Sequence, residues 1–122
     1  MNIEKFIAKV CLLGHVTYDM PFDKSILVFR VGGKIFLLTN IDLWDINKPQ
    51  INIKAHPEDV QKYLSEYDFV LPAYHMNKKH WITLNCESFD EVKFPFQWIL
   101  DSYKLVYNAL PKKIKTELEQ KL

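Results

Sequence analysis

The chain has no long hydrophobic run, no surplus of charge and almost no cysteine, and each shortage removes a class of function. No stretch approaches the roughly 18 apolar residues a membrane helix requires, and the N-terminal MNIEKFIAKVCLLGHV lacks a small-residue cleavage site. A soluble, unsecreted protein with no membrane partner is expected. Sixteen Lys/Arg against fifteen Asp/Glu leave a formal charge of +1, which excludes a uniformly basic coat for nucleic acid or membrane. Any polyanion must be met by a local concentration of cations. The two cysteines, Cys11 and Cys86, form no CxxC and no Cys/His metal spacing, so a reducing cytoplasm is the expected location.

What is present is an ordinary globular balance, 48% hydrophobic and 25% charged over 122 residues, with an aromatic surplus of eight Phe, six Tyr and three Trp. This composition excludes disorder, collagen-like repeats and coiled coil. The length predicts one domain, residues 1–122, able to bury a proper core.

Ile3, Phe6, Ile7, Val10 and Leu13 recur at helical spacing, and Gly14 supplies a stop. After a loop through Met20-Pro21-Phe22, residues 26–31 and 34–39 predict two strands joined by a tight turn at Gly32-Gly33. Gln50 to Ala55 alternates as a strand. His56-Pro57-Glu58-Asp59 opens a helix running to about Tyr67, because proline suits an early helical position and carboxylates suit the positive dipole end. A short strand at 69–71, an alternating strand at 79–85, a helix over 95–110 and a terminal helix over 112–122 complete an α+β chain with an antiparallel sheet.

Side chains alternate across a strand, which divides each strand into two faces. Leu27, Phe29 and Val31 oppose Ile26, Val28 and Arg30; Ile35 and Leu37 oppose Lys34, Phe36 and Leu38. Ile51 and Ile53 oppose Asn52 and Lys54, while Ile82 and Leu84 oppose Lys79, Trp81, Thr83 and Asn85. If helices cover the aliphatic face, the other carries Arg30, Lys34, Lys54 and Lys79 with Phe36, Trp81 and Thr83, and no carboxylate. Cations neutralise phosphates and aromatics stack on bases, so this face predicts a platform for nucleic acid. The competing reading is a solvated face whose lysines serve solubility, with Trp81 filling a gap.

Other chemistry is sparse. His75 and His80 lie beside Lys78 and Lys79, which would repel a divalent ion, so no metal is expected. Neither histidine has a GxSxG-type nucleophile as companion, Gly32-Gly33 lacks phosphate-loop spacing, and nothing around Cys86 stabilises a thiolate. No catalytic set and no cofactor is expected. Ser102 falls on the apolar stripe of the long helix, where a bond back to a helix carbonyl is the expected role. Lys104, Lys112, Lys113 and Lys115 form a second basic patch that could equally complement a helix dipole.

Four segments in this order, Val31-Gly32-Gly33-Lys34-Ile35-Phe36, Ile51-Asn52-Ile53-Lys54, Pro72 through Trp81 with its His-Met-Asn-Lys-Lys-His-Trp run, and Asp101-Ser102-Tyr103 leading to Leu110-Pro111-Lys112-Lys113, resemble the MmcQ/YjbR family of small proteins labelled DNA-binding. The resemblance implies a CyaY-like, frataxin-type two-layer sandwich, a twisted antiparallel sheet with helices on one face, in a cytoplasmic bacterial protein. It also implies candidate site residues Lys34, Lys54, His75, Asn77, Lys78, His80, Trp81, Ser102 and Tyr103, to which the face argument adds Arg30 and Lys79 and the second patch adds Lys112 and Lys113. An acidic first helix of the iron-binding frataxin type is absent, since Glu4 is balanced by Lys5 and Lys9.

The leading expectation is weak, salt-sensitive DNA or other nucleic-acid binding by a monomer. One alternative is a small anion or metabolite pocket between Tyr74–Asn77 and Ser102-Tyr103, in a sensor or an enzyme. The other is a protein-interaction module using the open sheet face.

Overall fold

In a computed structural model, which describes residues 1–73 and 76–121, the chain runs α1 (Ile3–Cys11), β1 (Val16–Asp19), β2 (Ile26–Val31), β3 (Lys34–Asn40), α2 (Ile41–Asp45), β4 (Gln50–Lys54), α3 (Pro57–Glu66), β5 (Val70–Pro72), β6 (Trp81–Asn85), α4 (Phe96–Asn108) and α5 (Lys112–Glu119). The strands form one antiparallel sheet in the order β1-β2-β3-β4-β6-β5.

Local chemistry sets the boundaries. Asn2 caps α1 by accepting the Lys5 amide at 2.8 Å. Gly32 and Gly33 both take positive φ, 57° and 80°, the conformation whose twist suits a two-residue hairpin turn. Lys78–His80 form a turn and not the start of β6, because the His80 and Trp81 amides both donate to the Asn77 carbonyl. Two elements escape the sequence pattern. β1 is a mostly exposed edge strand with no apolar alternation, and α2 is five residues capped by Asn40, which accepts the Asp42 amide.

Leu27, Phe29, Leu37, Ile51, Ile53, Ile82 and Leu84 line one sheet face and pack with Phe6 and Val10 of α1, Val60 of α3, and Ile99 and Val106 of α4. The result is the expected two-layer α+β sandwich. The face assignments of Lys34, Ile35 and Phe36 are corrected. Phe29 pairs with Leu37 but Arg30 pairs with Ile35, so Phe36 is an extra residue in β3. The bulge carries Phe36 into the core at 0% exposure, edge-on to Tyr103, and turns Ile35 to the side of Arg30 and Lys34 to the side of the core residue Val31, off the face where it was expected.

Candidate functional site

Opposite the helices, the bulge leaves Arg30 paired with Ile35, while Lys54 pairs with Trp81 across β4 and β6. At this end of the sheet the hairpin turn and the C-terminal end of α4 enclose a cleft of about 490 Å³, lined by Arg30, Lys34, Lys54, Trp81, Leu110 and Pro111 among others and by no carboxylate. Lys54 and Trp81 are half-buried and Lys34 is exposed. The cations differ in freedom. Arg30 Nε lies 3.4 Å from Asp19 Oδ1, and Nη1 donates to the Gly33 carbonyl at 3.4 Å. Asp19 reaches this position through the unexpected strand β1, so the face does carry an acid beside Arg30. Among the described residues, no carboxylate lies within ion-pair distance of Lys34 or Lys54.

The remaining predicted residues divide by position. Ser102 is fully buried, and its hydroxyl bonds to the sheet and not back to its own helix: it accepts the Lys54 amide at 2.9 Å and donates to the Phe36 carbonyl at 2.6 Å. Tyr103 donates to the Gly14 carbonyl at 2.7 Å, and burial, then the neighbouring Tyr107, raises its pKa. Both hydroxyl protons are therefore engaged by backbone. Asn77 shapes the turn before Trp81, its Oδ1 accepting the Lys79 amide at 2.9 Å. Lys78 and Lys79 are exposed on that turn, outside the cleft lining, and His80 is half-buried. His75, with Tyr74, lies outside the described residues. Lys112 and Lys113 are exposed on the first turn of α5, directly after the cleft residue Pro111. It is Lys115 that serves the α4 C-terminus, donating from Nζ to the Asn108 carbonyl at 2.8 Å. The dipole therefore accounts for Lys115 and leaves Lys112 and Lys113 at a positive helix end.

Two further cavities are invisible to face arithmetic. One, about 550 Å³, lies on the sheet face away from the helices and is lined by Phe22, Asp23, Ile35, Leu38, Asn40, Asn52, Met76 and Asn77 among others. Its walls come from two loops folded over the sheet; the exposed aromatic in Met20-Pro21-Phe22 is the only sequence hint. The other, about 560 Å³, lies between α3 and α4 and carries His56, Asp59, Tyr63, Trp98, Asp101 and Lys104. Burial and the charges of Asp59 and Asp101, with a smaller contribution from Tyr67, raise the Tyr63 pKa there. Cys86 is fully buried, which pushes its thiol up to about 12, and Sγ donates to the Leu84 carbonyl. Among the described residues, no three His, Cys, Asp or Glu side chains group as metal ligands, and no helix is long and apolar enough to cross a membrane.

An antiparallel sheet with helices on one face and a cationic, tryptophan-bearing cleft at the hairpin end defines a small α+β protein of the kind the sequence motifs suggested. The chain belongs to the YjbR family, whose model matches residues 12–105. It is 37% identical over 93 residues to the uncharacterised protein YbdF of Escherichia coli O157:H7, covering 76% of this chain and 74% of that one. Among solved structures it is similar to Deinococcus radiodurans protein DR2400, with a DUF419 domain, at a TM-score of 0.77 and 28% identity, over 98% of this chain and 89% of that one. A Pseudomonas syringae protein matches at a TM-score of 0.68 and 26% identity, over 87% and 99% of the two chains.

Proposed function

We propose that this protein binds nucleic acid, with a preference for single strands, through the cleft at the hairpin end of the sheet. The observation that carries the reading is the cleft lining itself: Arg30, Lys34 and Lys54 beside Trp81, with no carboxylate. Lysines held near a concave surface attract a phosphate chain, and a half-exposed indole offers a stacking face that does not depend on sequence. Lys112 and Lys113 extend the positive field past Pro111, and among the described residues Asp19, on Arg30, is the one carboxylate within ion-pair distance of a cleft cation. Single strands are favoured because stacking on Trp81 requires an unpaired base.

The alternative pocket between Tyr74–Asn77 and Ser102-Tyr103 is less favoured, because both hydroxyl protons are given to backbone carbonyls; Tyr74 and His75 lie outside the described residues. The test is anisotropy titration of labelled single-stranded and duplex DNA at low salt. Micromolar binding is expected, tighter for the single strand, with log affinity falling against log salt at a slope of about −3 for four phosphate contacts. Absence of binding to either form at high micromolar protein would overturn the reading.

A further inference from the structure

The second cavity on the open sheet face adjoins the cationic cleft, for Ile35 lines both. Its floor is apolar, with Leu38 and Ile35 from β3, and its mouth carries Phe22, which is 64% exposed. Phe22 is not on a loose end. Asp23, the next residue, accepts the Ser25 and Ile26 amides through Oδ1 at 2.7 and 3.0 Å, which pins this loop to the start of β2. An exposed aromatic ring beside a cavity, on a loop whose backbone is fixed, offers a flat apolar partner to a flat ligand.

Three asparagines of the lining share one arrangement. Asn40 accepts the Asp42 amide at 2.9 Å, Asn52 accepts the Thr83 hydroxyl, and Asn77 accepts the Lys79 amide at 2.9 Å, each through its carboxamide oxygen. With each oxygen fixed by an internal donor, the amide orientation is fixed too, and it is the NH2 group that remains for a ligand. Among the described residues none of these three NH2 groups has an acceptor. The cavity is therefore apolar at its floor and lined by three carboxamides with unengaged NH2 groups and by the Asp23 carboxylate, with Arg30 paired to its lining residue Ile35.

From this we infer that the cavity is a nucleobase pocket selective for keto bases, thymine or uracil first, whose phosphates extend into the adjoining cleft; the inference rests on the nucleic-acid reading above. Thymine and uracil present two carbonyl acceptors on one planar ring, matching the asparagine donors. Adenine and cytosine present an exocyclic amine where donors already stand, so they are disfavoured. A cavity of about 550 Å³ accommodates a single base with room for its sugar.

The experiment compares labelled eight-residue strands of thymidine, deoxyadenosine and abasic sugar-phosphate at one low salt concentration. The thymidine strand is expected to bind about tenfold more tightly than the other two. Phe22→Ala and Asn52→Asp should bring the thymidine-to-abasic ratio to near one. Asp at position 52 still accepts from Thr83, so the second variant removes the donor without removing the internal bond, and the abasic strand controls for its added charge. Equal affinity for thymidine and abasic strands in the parent protein overturns the base pocket and leaves the cationic cleft standing. If no strand binds, the nucleic-acid reading fails, and titration with thymidine 5′-monophosphate monitored at the Met76 methyl decides the pocket alone: a saturable shift supports it and no shift overturns it.

Discussion

The hydroxyl of Ser102 on α4 donates to the carbonyl of Phe36 on β3 across 2.6 Å, just beyond the Leu37–Ile53 pair at which the β3–β4 ladder ends. The same oxygen accepts the Lys54 amide, so one side chain satisfies a backbone carbonyl of β3 and a backbone amide of β4 where their ladder has ended. Ser102→Ala strands a buried donor and a buried acceptor. A loss of about 1–3 kcal/mol is expected, read as a lower urea midpoint with an unchanged m-value. Tyr103→Phe removes only one bond, to the Gly14 carbonyl, and is expected to cost about 1 kcal/mol.

That pair also marks where the sequence stops being legible. The sequence pattern located five of the six strands to within a residue at most ends: β2, β3, β4 and β6 by the aliphatic row each buries, and the short β5 ahead of Pro72. It placed Arg30, Lys54, Trp81 and Thr83 on the face away from the helices, where Thr83 is nevertheless buried, but it misplaced Lys34, whose partner Val31 faces the core. It failed at Phe36 because a bulge shifts the side-chain phase by one, and nothing in Lys34-Ile35-Phe36-Leu37 signals the extra residue. Strand β1 was missed because an exposed edge needs no apolar period, and with it the Asp19 partner of Arg30 was missed. The asparagine-lined cavity was beyond reach because it depends on two loops meeting over the sheet, which no local period encodes.

The two turn glycines are not equivalent. A Cβ at Gly32 would stand 2.6 Å from Leu110 Cδ1, in a backbone with φ of +57°, whereas a Cβ at Gly33, φ +80°, meets nothing within 4 Å. Gly33→Ala therefore carries only the left-handed backbone cost, about 1 kcal/mol. Gly32→Ala adds displacement of the buried Leu110 side chain, and about 2–3 kcal/mol in total is expected. Thermal denaturation of the two variants side by side checks the order.

Stability should fall on the alkaline side through Cys86. Burial pushes this thiol from 9.0 up to about 12, so the folded chain keeps the proton after the unfolded chain has released it. Below pH 9 both states hold the proton and the group has no pH dependence. Between pH 9 and 12 the unfolded state binds fewer protons, and stability declines as pH rises. At pH 10 the loss is about 1.4 kcal/mol. Cys86→Ala lowers stability at pH 7 through the lost side chain but lacks this titration. Urea melts at pH 8 and pH 10 should therefore show the gap between the two proteins narrowing.

Lys54 and Trp81, cross-strand partners on β4 and β6, should separate charge from stacking in the binding of a single strand. Lys54→Ala removes one phosphate contact, so the salt slope should become shallower by about 0.7 while the preference for single strand over duplex persists. Trp81→Phe keeps a ring in the half-buried site, whereas Trp81→Ala removes it; the alanine variant should lose about 1–3 kcal/mol of single-strand affinity with little change in slope. Circular dichroism of both tryptophan variants establishes that the sheet is retained. Lys79→Ala is the internal control, because Lys79 is exposed on the 77–80 turn outside the cleft and its loss should leave the slope nearly unchanged. Equal effects from Lys54 and Lys79 would mean that binding follows total charge and not the cleft.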